Sequence, residues 1–351
     1  LSEIHGVKWD DLNGNGLRDA GDGPLGGWVI ALHDNEVIFD AQLTDPVTGE
    51  YRFTDLSAGS YIVSEVDKQG WFRTYPLEDS HSINLGFDQV AQDINFGNTA
   101  YAQIAGTKWN DLNGNGLRDT GEPGIANWPI FLDENNDGNH NVGEPLVHTD
   151  ADDPDTEDVN EAGNYSFTNL VPGLYTVVES AIADWSQTFP GADSDGIHMM
   201  VLESGQVEED RDFGNFRFAQ IYGTKYLDNN ADGVHDLGEP GLADWTIWLD
   251  LNDNGLLDDG EPSTLTMFDD PETEDDETGL YWFTGLAPGS YTVAEVVEDN
   301  VRELEGSLTR VQAMAALTGR PITVDLAREI LGQRLHDDSP LRQLLLDRTV
   351  A

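Results

Sequence analysis

Short runs in which apolar and polar side chains alternate with period two recur throughout the first 298 residues of the chain. In the first hundred residues, runs rich in β-branched and aromatic side chains lie at 28–32, 51–53, 60–66 and 94–96. This alternation predicts half-buried strands, and the clusters of Gly, Pro, Asn and Asp between the runs predict turns. About seven short strands in every hundred residues predict a mainly β fold built of β-sandwiches.

Two longer blocks recur along the chain, which indicates tandem copies of one domain. The first reads GVKWDDLNGNGLRD at 6–19, GTKWNDLNGNGLRD at 106–119 and GTKYLDNNADGVHD at 223–236. The second reads YRFTDLSAGSYIVSE from Tyr51, YSFTNLVPGLYTVVE from Tyr165 and YWFTGLAPGSYTVAE from Tyr281. A closing FGN occurs at 96–98 and 213–215 only, so we expect the third copy to lack its last strands. The predicted domains are repeat one at 1–99, repeat two at 100–217 and a truncated repeat three at 218–298.

The segment 299–351 follows a different pattern, which predicts two helices. Asn300 followed by Glu303 matches a capping box, the residues TGRP at 318–321 end the first helix, and Thr323 caps the second. This segment carries eight acidic residues and seven Arg, so almost all of the acidic excess of the chain lies before it.

The net charge of −50 excludes several classes of function. A surface of this charge repels nucleic acids and anionic membranes, and it repels itself unless cations neutralise it. The chain has no Cys, which excludes disulfides and thiolate metal sites. No stretch of 18 apolar residues and no leader peptide occurs, and we interpret the chain as a fragment of a longer protein.

The acidic residues concentrate in loops that match the EF-hand pattern D-x-[DN]-x-[DN]-G-x₅-E, in which the carbonyl at position 7 is also a ligand. The first loop of each repeat contains Asp11, Asn13, Asn15, Leu17, Asp19 and Asp22; Asp111, Asn113, Asn115, Leu117, Asp119 and Glu122; and Asp228, Asn230, Asp232, Val234, Asp236 and Glu239. A second loop follows the next strand in repeats two and three, with Asp133, Asn135, Asp137, Asn139, Asn141 and Glu144; and Asp250, Asn252, Asn254, Leu256, Asp258 and Glu261.

This spacing suits Ca²⁺, which takes six to eight oxygen ligands at about 2.3–2.6 Å. The ligands converge only if the chain turns sharply at position 6, where every loop has Gly. Asp22 is shorter than the Glu at position 12 elsewhere, so we expect the first loop to bind most weakly. The alternative is that these clusters are ordinary turns, but five matches at corresponding positions favour Ca²⁺ as the cofactor. A further acidic stretch before the second block of repeats two and three, at 150–158 and 269–276, fits either another ion or a solvated loop.

Three of the four Lys occupy one position in the repeats, and strand parity turns them towards the apolar side. Glu and Asn at two other repeat positions share this inward parity. A neutral amine could attack the Asn carboxamide while a protonated Glu transfers protons, which would form an isopeptide bond; a buried Lys–Glu ion pair is the alternative. The two complete sets are Lys8, Glu65 and Asn98, and Lys108, Glu179 and Asn215.

The blocks WNDLNGNGLRDTGEPG and YSFTNLVPGLYTVVE resemble the SdrD-type B domains of bacterial surface proteins, which are related to the collagen-adhesin B domains. The resemblance covers residues 1–298. It implies prealbumin-like or immunoglobulin-like sandwiches, rigidity that depends on calcium, and a stalk that holds an adhesive domain away from the cell. The isopeptide chemistry belongs to the collagen-adhesin relatives.

Residues 299–351 resemble the lid subdomain of the bacterial replication initiator DnaA, in which the Arg that matches Arg302 contacts nucleotide phosphate. No Walker A motif GxxxxGK[ST] occurs in the chain, so this segment alone cannot bind or hydrolyse ATP. We interpret the junction as an artificial fusion; the alternative is a genuine gene fusion.

Three functions are consistent with these patterns. The leading hypothesis is a calcium-stiffened spacer of a secreted or cell-surface protein, with calcium ions and neighbouring repeats as partners. The second is an adhesin segment that binds a host or matrix ligand through aromatics such as Trp71 and Trp185, although packing at domain seams is the simpler role for them. The third, a replication factor, depends on the tail alone. No nucleophile–base set is present, so we expect no enzyme.

Overall fold

The computed structural model describes residues 1–34, 37–156 and 160–296, with 312–315, 317, 323 and 326 beyond them. These residues form two compact units, one made of Leu1–Ala219 with Gly285–Gly289 and one made of the remainder. Repeats one and two, at 1–99 and 100–217, therefore lie in the same unit. Most of the predicted two-helix segment falls outside the described residues. Residues 312–315, 317 and 326 are helical, and the Leu326 N–H donates to Thr323 Oγ1 at 3.2 Å, as expected for the predicted cap.

Repeat one folds into two sheets that contain nine strands. In chain order they are β1 Ser2–Asp10, β2 Val29–Asp34, β3 Val37–Leu43, β4 Glu50–Leu56, β5 Gly59–Glu65, β6 Trp71–Tyr75, β7 Ser80–Leu85, β8 Val90–Ala91 and β9 Phe96–Ala100. One sheet has the order β4-β1-β9-β6 with β8 beside β1, and the other has the order β3-β2-β5-β7. The run predicted at 94–96 lies mostly before its strand, because β9 begins only at Phe96.

Repeat two has the same topology. Its strands are β10 Ala102–Asn110, β11 Pro129–Leu132, β12 Leu146–His148, β13 Asn164–Leu170, β14 Gly173–Glu179, β15 Trp185–Phe189, β16 His198–Leu202, β17 Val207–Glu208 and β18 Phe213–Arg217, with one 3₁₀ turn at Ala192–Ser194. The orders β13-β10-β18-β15 and β12-β11-β14-β16 reproduce the two sheets of repeat one. The sequence repeat therefore corresponds to a structural repeat.

Repeat three contains fewer strands among the residues described. They are β19 Ala219–Thr224, β20 Thr246–Asp250, β21 Ser263–Leu265, β22 Leu280–Leu286 and β23 Thr292–Glu295. Its first sheet pairs β19 with β22, and its second has the order β21-β20-β23. Within the described part of the chain, this first sheet contains no counterpart of β9 and no counterpart of β6.

The core of each complete repeat lies between its two sheets. In repeat one, Ile4 and Phe53 of the first sheet pack with Ile30, Leu32 and Val63 of the second, and all five side chains are fully buried. Repeat two buries the corresponding set around Ile104 and Phe213. The alternation seen in the sequence therefore places one face of each strand between the sheets, and the predicted mainly β sandwich fold is confirmed.

Two aromatic residues considered as ligand contacts pack against these cores. The Trp71 ring packs edge-on against Trp28 with 5.3 Å between ring centroids, and the Trp185 ring packs in the same way against Trp128 at 5.4 Å. Both residues are partly buried against the core of their own repeat. That either ring also contacts a ligand or the neighbouring repeat stays a prediction.

Candidate functional site

The predicted calcium loops connect strands at corresponding positions in the repeats. The first loop of repeat one begins directly after β1, at Asp11, and that of repeat two begins directly after β10, at Asp111. The second loop of repeat two follows β11, and in repeat three Asp250 is itself the last residue of β20. The first ligand position of each of these loops therefore lies at the end of a strand or directly after it.

The aspartate at position 1 organises the turn of every loop. In the first loop of repeat two, Asp111 Oδ1 accepts a hydrogen bond from the Asn115 N–H at 3.1 Å and Oδ2 accepts one from the Gly116 N–H at 2.7 Å. Gly116 has a φ of +74°, a left-handed conformation that glycine adopts without strain. The same pair of hydrogen bonds forms at Asp11, Asp133, Asp228 and Asp250.

Side chains at positions 3, 5 and 9 meet above this turn. In the first loop, Asn13 and Asn15 donate to Asp19 Oδ2 at 3.0 and 2.8 Å. Asn113 and Asn115 donate to Asp119 in the same way at 2.8 and 2.9 Å. The hydrogen bonds from Asn13 and then Asn15 lower the pKa of Asp19, which favours the ionised carboxylate.

The carboxylate at position 12 closes each loop. Glu122 accepts hydrogen bonds from the Leu112 N–H at 2.9 Å and the Asp119 N–H at 3.0 Å, one on each oxygen. Asp22 makes the corresponding two bonds, to Leu12 at 3.1 Å and Asp19 at 2.8 Å. The shorter side chain therefore reaches the same two backbone groups as Glu, although the predicted weaker binding of this loop stays a prediction.

The ligand atoms that these loops offer are all oxygens, which suits a hard cation such as Ca²⁺. Among the described residues, no group of three or more His, Asp or Glu side chains is arranged to hold a metal ion. The loops instead combine Asp and Glu with Asn side chains, and the EF-hand pattern adds a backbone carbonyl at position 7. The residues present therefore fit the predicted ion in their chemistry.

A second site lies inside repeat two, where the predicted Lys, Glu and Asn meet. Lys108 is fully buried; its Nζ lies 2.9 Å from Glu179 Oε2 and contacts Asn215 Oδ1. The other carboxylate oxygen, Oε1, accepts a hydrogen bond from Asn215 Nδ2 at 2.7 Å. Burial lowers the pKa of Lys108 to about 8 and raises the pKa of Glu179. The Trp128 ring covers the amine, 4.5 Å from its centroid.

Repeat one brings the corresponding three residues together with one difference. Lys8 is fully buried, its Nζ lies 2.9 Å from Glu65 Oε2, and it contacts Asn98 Oδ1. Burial lowers the pKa of Lys8 to about 8. Glu65 Oε1, however, accepts a hydrogen bond from Arg73 Nε at 2.9 Å. Sequence reasoning missed Arg73, although aligning the repeats on Trp71 and Trp185 would have placed it opposite Gln187.

In repeat three the lysine site is more open. Lys225 Nζ lies 2.6 Å from Glu295 Oε2, and the two side chains are 23% and 32% exposed. Without the counterpart of β9 among the described strands, this site has no Asn from that strand. The inward parity predicted for this Lys therefore leads to partial burial only.

The first loop also contacts the next repeat. The Ser204 N–H, in the turn after β16, donates to the Leu12 carbonyl at 2.9 Å. Ser204 Oγ accepts a hydrogen bond from the Ala100 N–H at 2.7 Å, and the Gly205 N–H donates to the Ala100 carbonyl at 3.0 Å. The Pro172 ring packs beside Gly14 of the loop. Sequence reasoning did not identify this joint, because its hydrogen bonds use mostly backbone atoms.

Comparison with known proteins finds one family model that matches two stretches of the chain. The model of the SdrD B-like domain family matches residues 3–92 and 102–214, the two complete sandwiches. The chain belongs to the SdrD B-like domain family. The resemblance of residues 299–351 to the DnaA lid is not supported by these matches and stays a prediction.

Curated relatives extend the similarity to most of the chain. Serine-aspartate repeat-containing protein D of Staphylococcus aureus strain Newman is 28% identical over 304 residues, which cover 81% of this chain and 21% of that protein. Serine-aspartate repeat-containing protein F of Staphylococcus epidermidis strain ATCC 12228 is 26% identical over 315 residues, covering 81% of this chain and 17% of that protein. The chain thus spans about a fifth of the length of these relatives.

Solved structures with similar strands include BcpA, the major pilin subunit of Bacillus cereus, at 11% identity and a TM-score of 0.34, covering 84% of this chain and 87% of that one. The Bacillus anthracis TIE protein covers 84% of this chain and 45% of its own, at 17% identity and a TM-score of 0.31. In the described residues of the present chain, no helix is long and apolar enough to cross a membrane.

Proposed function

We propose that this chain is a calcium-stiffened spacer of a secreted or cell-surface protein. The observation that carries the proposal is the joint between repeats one and two. The Leu12 carbonyl, which accepts the Ser204 N–H of repeat two, belongs to position 2 of the first candidate calcium loop. An ion that orders this loop would therefore also order the contact with the next repeat.

Charge gives a second argument for the ion. The first loop of repeat three brings Asp228, Asp232, Asp236 and Glu239 into one turn, and the whole chain carries a net charge of −50. Two carboxylates about 4 Å apart repel each other by about 1 kcal/mol even in water. A bound divalent cation reverses this repulsion, so we expect the metal-free loops to be the least stable part of each repeat.

Calcium titration of the full chain by isothermal calorimetry tests this proposal. We expect binding by the five loops, in the range of about 10⁻⁴–10⁻³ M that is typical of extracellular calcium modules. The variant Asp111→Ala removes position 1 of one loop and should remove one ion. Asp45→Ala, which changes an aspartate outside the loops, is the matched control and should leave the stoichiometry unchanged. A wild-type chain that takes up no Ca²⁺ at millimolar concentration would contradict the proposal.

We further propose that Lys108 and Asn215 form an isopeptide crosslink within repeat two. Lys108 Nζ attacks the carboxamide carbon of Asn215, a C–N bond forms, and the amide nitrogen leaves as ammonia. One amine proton has to reach the leaving nitrogen, and Glu179 contacts both the amine and that nitrogen. The lowered pKa of Lys108 and the raised pKa of Glu179 favour the neutral amine and the protonated carboxyl that this step needs.

Such a crosslink would support the spacer function, because it joins β10 to β18 and resists extension of the repeat. Its formation lowers the intact mass by about 17 Da, the mass of the ammonia released. Asn215→Ala removes the leaving group and should abolish the mass loss, as should Glu179→Ala. An intact wild-type mass with no loss would contradict the crosslink but leave the calcium proposal untouched.

A further inference from the structure

The two complete repeats carry different residues directly across the sheet from the asparagine of each site. β6 places Arg73 opposite Asn98, and β15 places Gln187 opposite Asn215 in the same register. The surrounding strands have the same order in both repeats. The exchange of Arg for Gln is therefore a local difference within a shared framework.

Arg73 occupies the carboxylate oxygen that has a different partner in repeat two. Its Nε donates to Glu65 Oε1 at 2.9 Å, whereas Glu179 Oε1 accepts from Asn215 Nδ2 at 2.7 Å. Within the described residues, Glu65 accepts no hydrogen bond from the Asn98 carboxamide. Glu65 thus contacts the Lys8 amine but not the carboxamide nitrogen of Asn98. Glu179 contacts both the Lys108 amine and the carboxamide nitrogen of Asn215.

Hydrogen bonds to neighbouring groups hold Arg73 and Gln187 in different orientations. The Arg73 guanidinium also donates to Asp67 at 2.8 Å and to Asp79 at 2.9 Å, so three carboxylates fix it in place. In repeat two, the Gln187 Nε2 donates to the Gly196 carbonyl at 2.8 Å and not to Glu179. Gln187 therefore leaves the glutamate free to face the asparagine.

The proton balance of the crosslinking reaction makes this difference decisive. When the lysine nitrogen bonds to the carboxamide carbon, one of its protons must be delivered to the departing nitrogen so that ammonia can leave. A carboxyl group that touches both nitrogens can transfer that proton. In repeat one, Arg73 keeps a fixed positive charge beside Glu65 at all ordinary pH values. It also occupies the oxygen from which the proton would be delivered.

We propose that Arg73 prevents the isopeptide crosslink in repeat one, so that only repeat two becomes crosslinked. The inference rests on the crosslink proposed above for Lys108 and Asn215. Repeat one then keeps the buried Lys8–Glu65 ion pair with the partly exposed Arg73 beside it, and no covalent bond joins its first and last strands. The two repeats of one spacer would therefore differ in their resistance to extension.

Intact-mass spectrometry of the full chain, followed by peptide mapping, tests the inference. The wild type should lose about 17 Da once, and the crosslinked peptide should join Lys108 to Asn215. Arg73→Gln reproduces the residue of repeat two and should lose about 17 Da twice, with the second crosslink between Lys8 and Asn98. Adding Asn98→Ala to this variant should restore the single loss. The reverse change, Gln187→Arg, should abolish the loss in repeat two.

The outcomes separate the two proposals. Two losses in the wild type, or a folded Arg73→Gln chain with only one loss, would overturn the role of Arg73 while the crosslink of repeat two stands. No loss in any variant would overturn the crosslink and the inference together. If Arg73→Gln does not fold, Gln187→Arg decides the matter, because a crosslink that persists in that variant contradicts the inference.

Discussion

Repeats one and two have the same sheets, the same strand order and the same buried Lys, Glu and Asn, yet they differ in several residues, and two of the differences bear most on their chemistry. Repeat one joins β2 to β3 without the second acidic loop, and it places Arg73 where repeat two has Gln187. The comparison teaches that the sandwich fixes where chemistry can occur. We propose that a few residues on that sandwich then decide how many ions each repeat binds and whether its lysine reacts.

The largest effect is expected from removing the two buried lysines. In a chain that carries Asn215→Ala and so cannot form the crosslink, Lys108→Ala leaves Glu179 buried without a cationic partner, which costs about 3–5 kcal/mol for a broken buried ion pair. Lys8→Ala leaves Glu65 with its bond to Arg73 at 2.9 Å, so its cost should be about 1–3 kcal/mol. Urea unfolding of the full-length variants measures the difference. Equal losses of stability in the two variants would mean that Arg73 does not compensate for the missing lysine.

A smaller effect is expected from the second candidate calcium loop, which repeat two has and repeat one lacks. Asp133→Ala removes position 1 of that loop and should lower the number of bound ions by one. At calcium concentrations of about 10 to 100 times the Kd, each lost ion lowers the free energy of unfolding by about 1.4–2.7 kcal/mol. Melting curves with and without Ca²⁺ should show this loss for repeat two and none for repeat one. If Asp133→Ala responds to Ca²⁺ as the wild type does, this loop does not bind the ion.

A substitution at the joint between repeats one and two should lower stability by less still. Ser204→Ala removes the hydroxyl that accepts the Ala100 N–H at 2.7 Å, which costs about 1 kcal/mol. We expect the distribution of distances between the repeats to broaden, while melting of either repeat changes little. Ser166→Ala, an exposed serine of β13, is the matched control. Equal distributions in the two variants would show that Ser204 does not hold the joint.

The smallest effect is expected at Asp22. Its carboxylate already makes the two backbone hydrogen bonds that Glu122 makes in repeat two. Asp22→Glu should therefore tighten calcium binding by the first loop by less than about tenfold, or about 1.4 kcal/mol. Calorimetry on this variant measures the change. A larger gain would mean that the hydrogen bonds of Asp22 do not reflect its reach towards the ion.

Much of this organisation follows from local patterns in the sequence. Period-two alternation locates the strands because one face of each strand is buried, and parity alone places Lys8 and Lys108 inside. The spacing of the loops predicts the convergence of their side chains, because Gly at position 6 permits the required turn. These features depend on residues close together in the chain.

Long-range contacts are the part that the sequence does not reveal. Arg73 on β6 reaches Glu65 on β5 of the other sheet, and a pattern within either strand gives no sign of that contact. Trp71 packs against Trp28, which lies just before β2, and no local pattern around either Trp indicates that contact. The contact of Ser204 with Leu12 joins residues of two repeats through backbone groups, which carry no sequence signature.

The distance between repeats one and two, measured with and without Ca²⁺, tests the spacer most directly. The chain has no Cys, so Thr54→Cys and Thr168→Cys, at exposed positions of β4 and β13, can carry two spin labels. We predict one narrow distance distribution in millimolar Ca²⁺ and a broad one in EDTA. A distribution of the same width in both conditions would contradict stiffening of this joint by calcium.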